Sequence, residues 1–241
     1  MDLGLSGRRA AVAAASGGLG FASAAALAAD GAQVVICGRD QGRIDDAAAR
    51  IGNGCIGLVQ DVADAAGGAA FVAAATEALG GLDIVVANGG GPPAGTFAST
   101  PVDAYDTALD LNLMSVVGMA KAAVPAMQAQ RWGRFVAITS LSVRQPMATL
   151  ILSNTARAGV TGFLKTVALE VAADGVTVNT VQPGLHATDR VRQLFGDTEP
   201  GGRIGDPADF GSVVAFLCSR QANYVTGLQL HVDGGTFGGL Q

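Results

Sequence analysis

The chain has 241 residues, of which 49% are hydrophobic and 15% are charged, so it can bury a substantial core and is not intrinsically disordered. Its formal net charge of −5 and the lack of any Lys/Arg run argue against nucleic acid or an anionic membrane as the main partner. No shift in composition marks a linker, and we therefore expect a single domain over residues 1–241.

Strand-like apolar runs alternate with longer Ala-rich helical runs along the chain. This alternation predicts an α/β fold of the Rossmann type, a doubly wound seven-stranded parallel sheet with helices on both faces. Residues 188–207 form the one extended irregular region and are a candidate lid. The predicted strands are 10–14, 34–37, 56–59, 84–87, 135–139, 176–181 and 228–232, and the predicted helices are 21–29, 44–51, 69–79, 109–127, 152–173 and 210–217.

Two features of the sequence concern the cellular compartment. The stretch from Ala10 to Ala29 carries no charged residue, but it is rich in Ala, Gly and Ser and lacks the Leu, Ile and Phe density of a membrane span. The cysteines Cys37, Cys55 and Cys218 are odd in number and widely spaced in apolar surroundings, which favours reduced core cysteines over disulfides or a metal site. We predict a cytoplasmic protein.

The first predicted strand runs into a turn of small residues, A-A-A-S-G-G-L-G at 13–20, before the first helix. Such a turn lets backbone N–H groups and the helix N-terminus approach a pyrophosphate. Small residues here also serve the tight packing of strand against helix, so the turn alone leaves nucleotide binding open.

The next three strands end in residues that extend the nucleotide hypothesis. Arg39 follows the second strand, where an acidic residue would bind the 2′-hydroxyl of NAD(H) and an arginine would bind the 2′-phosphate of NADP(H). This favours NADP(H) over NAD(H); the structural alternative is a solvated charge that opens the next helix with Asp40. Asp61 and Asn88 end the third and fourth strands at the same edge of the sheet.

The fifth strand and the helix after it form a candidate reaction centre. The strand ends at Ser140, and Ser153 and Arg157 are four residues apart, which places both on one face of a helix. Ligands of open α/β sheets bind outside the carboxyl ends of the strands. Arg144, in the loop between, is either an anion-binding residue or an exposed loop arginine, and His186, after the sixth strand, is either a general acid or an incidental loop histidine.

In order and spacing, these segments resemble the short-chain dehydrogenase/reductase family over essentially the whole chain. The helix-borne Asn of the family's active site falls on Asn112. The other matches are T-G-x-x-x-G-x-G at 13–20, D-V at 61–62, N-N-A-G at 87–90, G-R-I-V-x-I-S-S at 133–140, P-G-x-x-x-T at 183–188, R-x-G-x-P at 203–207, T-G at 226–227 and V-D-G-G at 232–235.

The resemblance implies a small carbonyl or alcohol as substrate and NADP(H) as cofactor. It also implies a homodimer or homotetramer with residues 232–241 near an interface. Asn112 and Ser140 match active-site positions of the family. The positions that it assigns to cofactor binding are Ser16, Gly18, Leu19, Gly20, Arg39, Asp61, Val62, Asn88, Gly89, Arg157, Pro183, Gly184 and Thr188.

The chain departs from the family at its centre. The family's catalytic Tyr lies thirteen residues after its Ser and its Lys four further on, and these positions are Ser153 and Arg157 here. A serine hydroxyl is a far weaker acid than a phenol with a pKa of about 10, and an arginine is not a proton shuttle. Lys165 belongs to a helical segment that the family carries apart from its catalytic lysine. In the first turn, Ala13 and Ala14 replace a Thr and a Gly.

Three functions remain open on this sequence. The leading hypothesis is an NADP(H)-dependent oxidoreductase, similar to 3-oxoacyl reductases, in which the proton comes from water, His186 or the substrate. The second is a lyase, cyclase or isomerase that polarises a carbonyl through Ser140 and Arg157. The third is a non-catalytic nucleotide-binding homologue that serves as a partner subunit.

Overall fold

The computed structural model of the chain describes residues 2–195 and 203–240, and its centre is one seven-stranded sheet. The strands are β1 (Arg9–Val12), β2 (Gln33–Gly38), β3 (Ile56–Val59), β4 (Ile84–Ala87), β5 (Gly133–Ile138), β6 (Val176–Pro183) and β7 (Gln229–Val232). They pair in parallel in the order β3-β2-β1-β4-β5-β6-β7. The order reverses between β1 and β4, where such sheets open a crevice at their carboxyl edge. The predicted fold class is confirmed.

Helices of the described residues join the strands and cover both faces of the sheet. They are α1 (Gly18–Ala29), α2 (Gln41–Ile51), α3 (Ala65–Leu79), α4 (Ala104–Leu109), α5 (Ser115–Ala129), α6 (Ile151–Val171), α7 (Asp189–Phe195) and α8 (Pro207–Cys218).

Three helices begin a few residues earlier than the apolar pattern predicted, because aspartates cap them. The side chains of Asp40, Asp64 and Asp206 accept hydrogen bonds from backbone N–H groups in the first turns of α2, α3 and α8. Each bond satisfies an amide that has no partner within the helix. Polar caps and first turns carry no hydrophobic periodicity, so the pattern missed these residues.

Two other expectations need correction. The helix predicted over 109–127 begins earlier, at Ala104, and a π-helical turn at Asp110–Met114 separates α4 from α5. The candidate lid is not all coil, because it contains α7, where Asp189 and Arg192 pair one turn apart. A helix this short shows too few periods to be recognised in the sequence. Residues 196–202 of the lid lie outside the described residues.

The sheet separates two apolar layers. Phe71, Met119 and Leu164 come from α3, α5 and α6 on one face, and Leu27 and Phe210 come from α1 and α8 on the other. The helical stretch Ala104–Ala129 is long and apolar enough to cross a membrane, but half of its most apolar segment is buried inside the protein. Since α5 packs against α3 and β5, the apolar residues of this stretch are those of a helix that covers a sheet.

Candidate active site

The N-terminus of α1 lies at the carboxyl end of β1 and has no side-chain cap. Gly17 occupies the cap position and offers no side-chain acceptor, in contrast to the aspartates that cap α2, α3 and α8. Gly18 is exposed at the first position of the helix. The first N–H groups of a helix have no intrahelical acceptor, and its dipole adds a partial positive charge. This end of α1 is therefore suited to an anion.

The turn keeps the backbone path that a glycine would adopt, although an alanine stands there. Ala14 has a φ of 47°, in the left-handed region. A residue with a Cβ pays about 1–2 kcal/mol for this conformation. Ala14 thus stands at the position of the family's first glycine in a conformation that favours glycine, at the expense of local strain.

Gly20 allows the end of β4 to approach the same turn. A Cβ on Gly20 would lie 2.7 Å from Asn88 Nδ2 and 2.9 Å from the carbonyl oxygen of Ala14. Asn88 Nδ2 donates to the carbonyl oxygens of Ala13 and Ala14 at 3.3 and 3.1 Å. Asn88 therefore fixes the turn from behind, and Gly20 leaves the space that it needs.

The ends of β2 and β3 hold the other residues assigned to the nucleotide. Arg39 is exposed, and Asp40 caps α2 by accepting from the N–H of Arg43 at 2.8 Å. Asp61 is exposed after β3, whereas Val62 is buried in the core. Sequence reasoning missed Arg43, whose Nη2 lies 3.9 Å from where a Cβ on Gly17 would be. Its place one helical turn after the Asp40 cap was the available signal.

The carboxyl end of β6 closes the crevice from the other side. Gly184 packs against Asp233, and a Cβ on Gly184 would lie 2.8 Å from Asp233 Cα. Thr188 lies beside Gly18, since its Cγ2 is 3.8 Å from the position of a Cβ there. The segment from Pro183 to Thr188 thus leads from the end of β6 to the N-terminus of α1. Ser16 lies in the turn before α1, Leu19 in the first turn of that helix and Gly89 in the turn after β4.

Ser140 lies two residues after the end of β5 and is held by its own loop. Its Oγ accepts a hydrogen bond from the N–H of Ser142 at 3.1 Å and caps the 3-10 turn that follows. This bond uses one of the two lone pairs of the oxygen and does not use the hydroxyl hydrogen, which Ser140 can donate to another group. Ser142 Oγ is buried and has no hydrogen-bond partner among the described residues.

Ser153 and Arg157 lie on one buried face of α6, as predicted, and are 7% and 8% exposed. Arg157 Nη1 donates to the carbonyl oxygen of Ile138, the last residue of β5, at 3.0 Å. Burial, and to a lesser extent the charge of Arg190, lower the pKa of Arg157 to about 10. The guanidinium therefore stays charged at neutral pH and is anchored beside the strand that carries Ser140.

Asn112 enters the crevice from the π-helical turn. Its Nδ2 donates to the carbonyl oxygen of Gly90 at 2.9 Å, and its Oδ1 is buried with no partner among the described residues. Buried polar atoms of this kind are usually satisfied by water or a ligand. The sequence located this residue by its resemblance, but no local pattern predicted the π-helical geometry.

His186 is brought to a different environment. Its ring is 4% exposed and packs edge-on against Phe210 of α8, with 5.2 Å between the centroids. Nδ1 lies 3.3 Å from the carbonyl oxygen of Gly184. Gly205 pairs with His186 and lies against the ring. These contacts are those of a packed ring between the lid and α8, so they do not favour the predicted general-acid role, which stays untested.

Lys165, the two tyrosines and Arg144 lie outside this group of residues. Lys165 Nζ donates to the carbonyl oxygen of Gly227 at 3.0 Å, near the edge strand. Tyr224 is fully exposed, and Tyr105 lies near the start of α4. Arg144 is exposed and stacks over the ring of Phe237 at 5.1 Å. Lys165 is therefore not a substitute for a lysine at position 157.

Comparison with known sequences identifies relatives over nearly the full length. A profile of the family described as enoyl-(acyl carrier protein) reductase matches residues 13–236. Dehydrogenase/reductase SDR family member 4 of Homo sapiens is 35% identical over 245 residues, which span 96% of this chain and 88% of that protein. The 3-oxoacyl-(acyl-carrier-protein) reductase FabG of Vibrio harveyi is 34% identical over 242 residues, which span 98% and 99% of the two chains.

Solved structures give the same result. L-sorbose reductase from Gluconobacter frateurii, complexed with NADPH and L-sorbose, has a TM-score of 0.91 and 30% identity over the whole of both chains. An NADPH-bound short-chain oxidoreductase from Pseudomonas aeruginosa PAO1, described as containing an atypical catalytic center, has a TM-score of 0.89 and 30% identity. The match covers 98% of this chain and 100% of the Pseudomonas chain.

Proposed function

The chain belongs to the short-chain dehydrogenase/reductase family, and we propose that it is an NADP(H)-dependent oxidoreductase that reduces a small-molecule carbonyl or oxidises the corresponding alcohol. In this proposal Ser153 and Arg157 stand at the positions of the family's catalytic Tyr and Lys. The observation that carries it is the convergence of three features at one edge of the sheet: the uncapped α1, the Ser140 hydroxyl and the buried Arg157 guanidinium.

The residues around the first turn fit a dinucleotide. The free N–H groups of α1 suit its pyrophosphate, and the absence of a side chain on Gly18 leaves that helix end open. Arg39 and Arg43 supply two cations at the end of β2 for a 2′-phosphate, which supports NADP(H) over NAD(H). Two of the related structures also contain NADPH.

The residues of the reaction centre hold the carbonyl and the charge that develops on its oxygen. When bound, NADPH supplies the hydride that the carbonyl carbon accepts. Ser140 donates its hydroxyl hydrogen to the carbonyl oxygen, while the N–H of Ser142 fixes the position of its Oγ. Arg157 stabilises the developing oxyanion with a charge that its bond to Ile138 fixes in place. Its other N–H groups hold a ribose hydroxyl.

The proton comes from water in this proposal, and not from Ser153. A serine hydroxyl is a much weaker acid than the phenol that it replaces, whose pKa is about 10. The orphaned Oδ1 of Asn112 is a buried acceptor that suits an ordered water. This water passes a proton to the oxygen that becomes the alcohol, and the hydroxide that remains takes a proton from the solvent. A positioned general acid contributes about 10²–10⁴-fold, so we expect slow but measurable turnover.

A second candidate follows from the same centre. Since Ser153 provides no phenol, Ser140 and Arg157 could polarise a carbonyl in a lyase, cyclase or isomerase reaction that leaves the cofactor unchanged. The two candidates differ in whether NADPH is consumed. A non-catalytic nucleotide-binding subunit is the third outcome, and it forms no product.

The test mixes the purified protein with NADPH and a panel of carbonyl compounds, or with NADP⁺ and alcohols. Absorbance at 340 nm follows the cofactor and mass spectrometry follows the product. Ser140→Ala should reduce turnover at least tenfold, whereas Thr155→Ala, an exposed hydroxyl on α6, should leave it unchanged. Product without loss of NADPH would establish the second candidate. Tight NADPH binding with no product from any compound would refute both.

A further inference from the structure

A second guanidinium lies beside the reaction centre and has no part in the chemistry above. Arg190, on α7, extends to the loop that follows β4, where its Nη2 donates to the carbonyl oxygen of Pro92 at 2.8 Å. A Cβ on Gly91 would lie 2.8 Å from the Cζ, Nε and Nη2 atoms of Arg190. The guanidinium therefore occupies space that exists because position 91 has no side chain.

Arg190 and Arg157 carry like charges at the carboxyl edge of the sheet, Arg190 bound to the loop after β4 and Arg157 to the last residue of β5. Burial lowers the pKa of Arg190, and the pKa of Arg157 is lowered first by burial and then by the charge of Arg190. Neither guanidinium forms an ion pair with a carboxylate in the part of the chain that the structure describes. Two like charges in a partly closed site repel each other, and an anion between them would replace this repulsion with two attractions.

Arg190 contacts the loop after β4, next to the residue that Asn112 binds. Gly91 directly follows Gly90, whose carbonyl oxygen accepts the hydrogen bond from Asn112. Thr188, two residues before Arg190, packs instead beside Gly18 at the N-terminus of α1. Thr188 and Arg190 thus contact two different turns, Thr188 the one that opens α1 and Arg190 the one that follows β4.

We propose that Arg190, together with Arg157, binds a carboxylate close to the reacting carbon, so that the substrate is an oxo acid or the corresponding hydroxy acid. The guanidinium fork matches the two oxygens of a carboxylate. Arg190 is then the specificity-determining residue, and Arg157 serves both the carboxylate and the developing oxyanion. This inference rests on the proposed function and adds the class of substrate to it.

The test compares each acid with its neutral ester. The probes are 2-oxobutanoate and methyl 2-oxobutanoate with NADPH, and 2-hydroxybutanoate and its methyl ester with NADP⁺. We expect kcat/KM to be higher for the acids. Arg190→Gln should lower kcat/KM about 10- to 100-fold for the acids and less than threefold for the esters, because the esters have no carboxylate for Arg190 to bind. Arg190→Lys should restore part of the preference.

The matched control is Arg192→Gln, an exposed arginine on the same helix that pairs with Asp189. It should leave kcat/KM unchanged for both the acids and the esters. Equal rates for acid and ester in the native enzyme would overturn the inference. An equal loss for both substrates in Arg190→Gln, with a higher Kd for NADPH in a fluorescence titration, would show that Arg190 binds a cofactor phosphate and would also overturn it.

A binding measurement separates this inference from the proposed function. Calorimetric titration of the NADP⁺ complex with 2-oxobutanoate needs no turnover. Binding that is lost in Arg190→Gln but kept in Arg192→Gln supports the anion site even if no compound is reduced. If the native protein binds the acid no better than the ester, the site is refuted even if other carbonyl compounds are reduced.

Discussion

Replacement of Arg157 by methionine should lower kcat without lowering the free energy of unfolding. The guanidinium is 8% exposed, and burial is the main reason why its pKa falls to about 10. Each pH unit by which a pKa shifts corresponds to about 1.36 kcal/mol, so the charged form is disfavoured in the folded protein by about 3 kcal/mol. Methionine removes this penalty and fills a similar volume.

Part of this gain in the free energy of unfolding is offset by the loss of a hydrogen bond. The carbonyl oxygen of Ile138 loses its hydrogen bond from Arg157, and a buried acceptor left without a partner is destabilising by about 1–3 kcal/mol. We therefore expect the free energy of unfolding of Arg157→Met to equal that of the native protein or to exceed it by up to about 2 kcal/mol. Loss of oxyanion stabilisation should reduce kcat by about 10²–10³-fold.

The pH dependence gives an independent check on the cause. An arginine whose pKa is lowered by folding destabilises the native state most fully below the folded pKa, and this effect disappears as the residue loses its proton. Above about pH 9 the native protein should gain stability relative to Arg157→Met, so that the difference between the two narrows toward pH 11.

Urea unfolding from pH 7 to pH 11, followed by circular dichroism, measures the stability difference, and the 340 nm assay measures kcat. Arg157→Lys is the comparison variant, since it keeps a cation but loses the planar fork. A variant Arg157→Met that is destabilised by more than about 2 kcal/mol would refute the argument about buried charge. One that keeps native kcat would refute the catalytic role of Arg157.

Three further outcomes follow from the structure. Arg39→Ala should raise the Kd of NADPH at least tenfold and leave that of NADH within about twofold, as measured by fluorescence titration; an equal change for both would remove the 2′-phosphate role. Ala14→Gly should raise the free energy of unfolding by about 0.5–1 kcal/mol, because glycine relieves the left-handed strain at φ 47°; a lower melting temperature would contradict this. Burial raises the pKa of Cys37 and Cys218 to about 12 and that of Cys55 to about 11, so a thiol reagent at pH 8 should label Cys55 first and slowly, and the other two only after unfolding.

The sequence was sufficient for the fold, and its resemblance to the family supplied the candidate site positions, which stay predictions. The alternation of apolar strands and Ala-rich helices is set by local periodicity, and it correctly gave seven parallel strands. The four-residue spacing of Ser153 and Arg157 fixed their common face, because helix geometry is the same wherever a helix occurs.

The tertiary structure alone decided which positively charged side chains lie in the crevice and which lie outside it. Lys165 and Arg157 lie on the same helix, but Lys165 reaches Gly227 whereas Arg157 reaches Ile138. His186 looked like a loop histidine available for chemistry, yet its ring packs against Phe210. Arg190 gave no signal in the sequence, and its guanidinium lies against Gly91 and Pro92 only because α7 folds back over that loop. Such contacts join residues far apart in the chain, so their geometry depends on how the loops pack on the sheet, which local pattern and spacing do not encode.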